Sequence, residues 1–367
     1  MAYINAIAPN IYPNFVCKCG ECRHVCCKGW RIGLPMLEYF KLIGRDCSPE
    51  LRRRLDVAFE MANPPSPDRY ALIAPDYEGK CRLLNDKGYC SVQLECGENA
   101  IPTVCRLYPR AIKRPIDGDG LPYELTVSLG CENTVELLMA LTDKVSFSAI
   151  DASIGDGTPP EDMDIYNSKD NDARKACLDI MLGNGKAKDK LALLAKHLTD
   201  VDIASASLAD SLRAICMIIN AYAKNSINVQ EFCIPALRGI GITDKSTDDC
   251  LNKAAEEYKK RAVELQSKIP NFDLALTNIL ANHLFYEKFP VCDSSTLPKD
   301  ALIALFAAYG LFMFTATVNS YGDESIDSFV DSTAGVFRLV EHSDFYRTAP
   351  LLLKRLKIDD LSLYLEF

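Results

Sequence analysis

The chain has 367 residues, 48% of them hydrophobic, and a net charge of −9. So much apolar sequence supports a buried core and two domains, and it excludes the small disulfide scaffold that sixteen cysteines would imply in a short secreted chain. The acidic balance excludes wholesale nucleic-acid binding, and the opening Met1-Ala2-Tyr3-Ile4-Asn5-Ala6 lacks the basic and apolar regions of a secretory leader, so a reducing cytoplasm is the expected compartment.

In chain order the first feature is a dense run, Cys17-Lys18-Cys19-Gly20-Glu21-Cys22-Arg23-His24-Val25-Cys26-Cys27, followed by Lys28-Gly29-Trp30-Arg31-Ile32. Thiolates this close repel one another, and a shared metal or cluster offsets the repulsion. Eleven of the sixteen cysteines lie at or before Cys131. Residues 1–150 are therefore expected to form a loop-rich α+β unit organised by metal, with strands at Tyr70–Ile73 and Tyr123–Ser128. Asp117-Gly118-Asp119-Gly120 lies between Pro115-Ile116 and Pro122, which suits a hairpin turn rather than a nucleotide loop.

The acidic, breaker-rich stretch from Ile154 to Asp162 is expected to be a linker or surface loop holding the domain boundary. Beyond it the pattern is helical, giving an all-α bundle over residues 173–367 with helices at roughly 173–182, 187–199, 207–225, 272–288, 299–319 and 325–341. A further long helix is capped by Thr247 and runs to Lys268, with Leu251, Ala254, Ala255, Tyr258, Ala262 and Leu265 near one face. Ala301–Val318 carries no charge over a length that begins to span hydrocarbon. Its Tyr309, Gly310 and Thr315, and the lack of flanking anchors, favour a buried bundle helix and no membrane. Cys177, Cys216, Cys233, Cys250 and Cys292, spaced singly, read as small buried hydrophobes, and His197, His283 and His342 as ordinary helix residues.

The cysteine motifs carry a family resemblance. Phe15-Val16-Cys17, Cys22, Cys26-Cys27 and Lys28–Ile32, then Cys81–Leu84 with Gly88–Gln93, Gly97-Glu98 and Cys105–Arg110, and finally Val127–Glu132, resemble the flagellin lysine-N-methylase family (FliB-type) and, more widely, the YkgJ-type cysteine-cluster proteins that chelate zinc or iron. Asn278–Leu280 and His283–Pro290 are similar to that family's aromatic helix ending in Phe-Pro. The resemblance selects Cys17, Cys22, Cys26, Cys27, Cys81, Cys90, Cys105 and Cys131 as the metal-linked set and leaves out Cys19, Cys47 and Cys96. The chain departs from the family pattern at Cys96, at the extra Cys19, and at Glu132, where a proline usually follows the cysteine.

Such resemblance implies an iron-sulfur cluster, of the 4Fe-4S kind, with zinc as the alternative metal. It also implies methyl transfer from S-adenosyl-L-methionine to lysine ε-amines of flagellin, the substrate protein of the bacterial flagellum. Eight thiols could fill two four-thiolate sites, or one such site with four left over. If the backbone is extended at Cys26-Cys27, the two side chains diverge and need not bind one atom. Arg106, Tyr108 and Arg110 are the candidates for holding a cofactor carboxylate, or else pair with acidic neighbours.

Familiar cofactor machinery is absent. No glycine-rich turn joins a strand to a helix as in a Rossmann site, and the Cys-x3-Cys-x2-Cys triplet of radical enzymes is broken because Cys27 follows Cys26 directly. The amine must be neutral to attack, and Tyr108, Tyr123, Glu124 and Glu132 lie beside cluster cysteines as possible proton acceptors. A redox or metal-handling protein without methyltransferase activity is the alternative function, and a zinc-stapled interaction module a third.

Overall fold

A computed structural model describes residues 3–115, 122–153, 164–166, 170–292 and 296–367. The expected turn at Asp117–Gly120 and linker at Ile154–Asp162 lie outside the described residues. The strands in chain order are β1 (Tyr3–Pro9), β2 (Ile32–Leu34), β3 (Phe59–Met61), β4 (Ala71–Ile73), β5 (Arg110–Pro115), β6 (Tyr123–Val127), β7 (Phe147–Ser153) and β8 (Asp164–Tyr166).

By its contacts the chain divides into Val16–Arg110, the thiol unit, and Met1–Phe15 with Ala111–Phe367, the helical unit. This division falls elsewhere than the boundary expected near residue 150. β1 pairs antiparallel with β7 along its whole length, from Tyr3 opposite Ser153 to Pro9 opposite Phe147, and runs parallel to β6. That pairing draws both ends of the 111–153 stretch, and the chain's first residues, into the helical unit.

The thiol unit carries the antiparallel sheet β2-β4-β3, with Ile73 of β4 opposite Ile32 on one side and Phe59 on the other. Its helices are α1 (Met36–Ile43), α2 (Pro49–Ala58), α3 (Ser91–Cys96) and α4 (Thr103–Leu107). Ser48 caps α2 by accepting from Leu51 N (3.2 Å), Pro49 begins the helix, and Leu51, Leu55 and Ala58 turn one face inward. The Glu95 carboxylate accepts from both the amide (2.5 Å) and hydroxyl (2.7 Å) of Ser48, tying α3 to the start of α2. The buried core comprises Leu34, Leu42, Leu51, Leu55, Ala58, Ile73, Leu83, Val92 and Ala100, with Cys47, Cys81, Cys90 and Cys96 packed against it.

In the helical unit the strand order is β7-β1-β6-β5-β8. Its helices are α5 (Glu132–Met139), α6 (Asn171–Met181), α7 (Ala187–Thr199), α8 (Leu208–Tyr222), α9 (Ile234–Gly239), α10 (Asp248–Lys268), α11 (Phe272–Tyr286), α12 (Pro298–Asn319), α13 (Asp327–Glu341), α14 (Phe345–Leu356) and α15 (Ser362–Leu365). α10 follows its amphipathic pattern: Thr247 caps Cys250 N (3.4 Å), and Leu251, Ala254, Ala255, Tyr258 and Leu265 are buried. α12 is apolar on every side and buried from Ala301 to Val318, because helices surround it. It is long and apolar enough to cross a membrane, yet the whole apolar window is covered by protein. The architecture is thus mixed α+β, with small sheets in the N-terminal part and helices beyond, as expected from composition and pattern.

Candidate metal centre

Two consecutive stretches of the thiol unit repeat one pattern, Asp76-Tyr77-Glu78-Gly79-Lys80-Cys81 and, nine residues later, Asn85-Asp86-Lys87-Gly88-Tyr89-Cys90. The first side chain folds each turn. Asp76 Oδ1 accepts from Glu78 N (2.8 Å) and Lys80 N (2.9 Å), and Asn85 Oδ1 accepts from Lys87 N and Tyr89 N (3.0 Å each). Gly79 and Gly88 supply the left-handed residue, with φ of 80° and 82°. Asp76 N donates to Lys80 O and Asn85 N to Tyr89 O, closing each hairpin. Each ends on a cysteine set across from the residue before the turn, Cys81 opposite Pro75 and Cys90 opposite Leu84.

The N-terminal motif is laid along the first hairpin. Cys81 N donates to Cys27 O (2.8 Å), Gly29 N donates to Gly79 O (2.9 Å), and Lys28 bridges antiparallel to Lys80. The chain turns at Cys26-Cys27 rather than extending, so the two thiols act on each other instead of diverging. Cys90 precedes α3 and Cys105 sits within α4. Gly20 lies against the Tyr89 ring so closely that a Cβ there would sit 2.7 Å from it.

Electrostatics link these thiols to one another. Burial, then the charges of Cys81, Cys90, Cys26 and Glu38, push the Cys105 thiol well above its ordinary value. Cys27 is raised by its hydrogen bond to Cys26, by burial, and by the charges of Cys26, Cys81 and Cys105. Burial lifts Cys81 to about 11, with Cys90 and Cys26 adding to it. Cys90 is raised by burial, and Cys17 by burial with the charges of Cys19 and Cys26 adding. Six of the eight selected cysteines, 17, 26, 27, 81, 90 and 105, therefore act on one another. Left to themselves, such thiols keep their protons; a thiophilic cation reverses the balance. Thiols are the donor type of zinc and iron-sulfur sites, both of which take four thiolates per site.

The remaining selected residues are placed as follows. Cys22 lines a groove with Cys81. Cys131 belongs to the helical unit, where it is buried and precedes α5. None of the sixteen cysteines is in a disulfide. Arg106 donates to Asn99 Oδ1 (3.3 Å), and Arg110 donates to the carbonyls of Leu107 and Arg106 (3.3 and 3.1 Å), so these side chains brace their own loop. The Tyr108 ring packs on Trp30, centroids 5.5 Å apart. Of the possible proton acceptors, Glu124 has both carboxylate oxygens 2.8 Å from the Arg174 guanidinium in a buried pair, and Glu132 is buried in the first turn of α5.

His283 and His342, expected as ordinary helix residues, are instead buried in a polar network of the helical unit. The Glu341 carboxylate accepts from Ser128 Oγ (2.7 Å), Leu129 N (2.8 Å) and His283 Nδ1 (2.8 Å), and His283 Nε2 meets Tyr346 Oη at 2.8 Å. His342 Nε2 meets Ser128 Oγ at 2.8 Å, and burial holds its pKa down to about 4. Arg338 donates to Gly130 O (2.8 Å) and Asn282 to Val127 O (2.9 Å). These bonds fix the Val127–Cys131 segment against α11 and α13. Polar residues recurring on the otherwise apolar α11, Asn278, Asn282 and His283, were the available sequence signal.

Fold and site together define a protein in which a clustered-thiol unit is inserted between the first strand and the remainder of a helical unit. Among known proteins, the flagellar biosynthetic protein FliU of Salmonella muenchen is 28% identical over 158 residues, which is 40% of this chain and 88% of that protein. No family model and no solved structure matches the chain.

Proposed function

We propose that the chain is a flagellin lysine-N-methylase whose thiol unit holds an iron-sulfur cluster, with S-adenosylmethionine as methyl donor. The observation that carries this reading is the convergence of Cys17, Cys26, Cys27, Cys81, Cys90 and Cys105 on one another, in motifs resembling that family. The similarity to a flagellar biosynthetic protein supports the flagellar context. When bound, a cluster would supply a redox group, and a Lewis acid only at an iron left without a thiolate.

The chain's own residues have three tasks. The two Asx-glycine hairpins and the Cys26-Cys27 turn hold the thiols in place before metal arrives, which lowers the ordering cost of binding. The Trp30–Tyr108 pair stiffens the segments following Cys27 and Cys105. The protein must also desolvate the target lysine so that its amine is neutral. The amine nitrogen then forms the N–C bond as the sulfonium C–S bond breaks, S-adenosylhomocysteine leaves, and the amine proton passes to a base or water.

The test uses anaerobically purified full-length protein with stoichiometric iron and acid-labile sulfide. Incubated with S-adenosylmethionine, it is expected to raise the mass of cognate flagellin in steps of about 14 Da, confined to lysines. Unmodified flagellin, beside a cluster whose paramagnetic spectrum ignores S-adenosylmethionine and which exchanges electrons with a partner, would replace this reading with the redox one. Colourless protein carrying only zinc would remove the iron-sulfur part.

A further inference from the structure

The thiol unit contains a groove of about 960 Å³ that the cysteine motifs alone do not explain. Cys22 and Cys81 reach its wall from the two halves of the thiol group, α2 supplies Arg53, and the second hairpin supplies Asp86 and Lys87. Its size lies in the range of sites that enclose a whole small molecule.

The charges lining it fall into two sets. Arg54 is spent on Leu84 O (2.8 Å) and Glu50, Arg82 on Val57 O (2.7 Å) and Pro75 O (3.2 Å), and Lys80 on Glu78 (2.7 Å). These side chains brace the walls. The side chains of Arg53, Lys87 and Asp86 make no hydrogen bond or ion pair among the described residues. Two cations and one carboxylate thus remain uncommitted on the groove, an arrangement complementary to a zwitterionic head with one carboxylate and one ammonium. The groove then offers charged groups for an α-amino-acid head, and the thiols of Cys22 and Cys81 lie on its lining.

We propose that this groove is the binding site for the amino-acid portion of S-adenosylmethionine: Arg53 and Lys87 take its carboxylate, Asp86 takes its ammonium, and the groove directs the rest of the molecule toward Cys22 and Cys81. This assignment rests on the methylase reading above. It differs from the sequence expectation, which looked to Arg106, Tyr108 and Arg110.

The experiment is calorimetric titration of iron-loaded full-length protein with S-adenosylmethionine and, separately, with L-methionine, which carries the same head. The expected result is one S-adenosylmethionine per chain, competition by methionine, and at least tenfold weaker binding in Arg53→Glu and in Lys87→Glu at unchanged iron and sulfide content. Arg53→Gln, which removes the charge without reversing it, serves if either reversal disturbs the fold, with the same tenfold criterion. Hydrogen exchange should slow in the Asp76–Gly88 peptide when S-adenosylmethionine binds. Unchanged affinity in the iron-replete variants, or no competition by methionine, overturns the groove assignment while leaving the methylase reading standing. Iron-replete wild type that binds no S-adenosylmethionine overturns both.

Discussion

The two units are stabilised by different means. The helical unit encloses α12 on every side and buries a continuous core of large apolar residues, including Phe306, Phe312, Phe314, Phe329 and Phe337. The thiol unit's core is nine residues, four of them contributed by Leu51–Ala58 and Ile73, and beside its short sheet and helices it relies on side-chain-folded turns. A core that small leaves little surplus over chain entropy, so a bound metal becomes part of the folding free energy. One unit folds by burial; on the proposed reading, the other would be completed by a bound metal.

The sharpest way to break that contrast is to remove the metal from the full chain. Anaerobic chelation is expected to release amide protection throughout residues 16–110 while α10–α13 stay protected, read by hydrogen exchange. Equal loss in both units would defeat the comparison. Cys105→Ala should abolish metal retention, because its buried thiol is coupled to Cys81, Cys90 and Cys26. Cys216→Ala, on the helical unit's α8, should leave iron content unchanged. Bleaching by the second variant would show that the division of cysteines is misdrawn.

Next in size is the buried network of the helical unit. Glu341 has a side chain with no exposure and three donors aimed at it, so Glu341→Ala strands Ser128, Leu129 N and His283 together. The expected cost is about 3–5 kcal/mol, in the range for breaking a buried charged pair. Denaturant unfolding monitored on the helical unit measures it, and a loss under about 1 kcal/mol would mean water enters and satisfies the orphaned groups.

A pH dependence follows from the same place. His342 is held neutral by burial, its pKa lowered to about 4 from the ordinary 6.5, with Glu341 opposing and Arg338 assisting the shift. Below pH 6.5 the unfolded chain takes up a proton that the folded chain refuses. Stability therefore falls as pH drops from 6.5 to 4, by about 3 kcal/mol in full, and is level above 7 for this group. Urea midpoints at pH 7, 5.5 and 4.5 should trace that slope, and His342→Asn should flatten it. An unchanged slope in the variant would assign the loss to other groups.

Much of this was legible beforehand, and the reasons are specific. Helices α7, α8, α10, α12 and α13 are long enough for their burial period to emerge, so they fall within a few residues of expectation. β1 and β7 escaped because their partnership reaches from Tyr3 to Ser153, a contact no local pattern encodes. The cysteine motifs marked the thiol group, since charge repulsion makes such density meaningful whatever the fold. What brings Cys81 and Cys90 to it, the repeated Asx-x-x-Gly-x-Cys turn, was present as letters but disguised by Asp in one copy and Asn in the other. His283 and His342 were misjudged because a buried histidine and an exposed one look alike until their partners, more than fifty residues away in the sequence for the His283–Glu341 pair, are known.

The smallest effects test the contrast at single glycines. In the helical unit Gly335 is required by packing: a Cβ there would lie 2.2 Å from the buried Phe232 ring. Gly335→Ala must displace that ring, at about 1–3 kcal/mol for overpacking, and shrinking the neighbour with Phe232→Leu should recover part of the loss. In the thiol unit Gly88 is required by conformation: it sits at φ +82° with nothing near its missing Cβ. Gly88→Ala should cost about 1–2 kcal/mol through the backbone alone, and Gly88→Asn less, because asparagine tolerates the left-handed region. Since the strained turn leads directly to Cys90, the alanine variant should also lose iron faster to a chelator, which Gly335→Ala should not. If the two variants shed iron at the same rate, the hairpins do not set the thiols for metal.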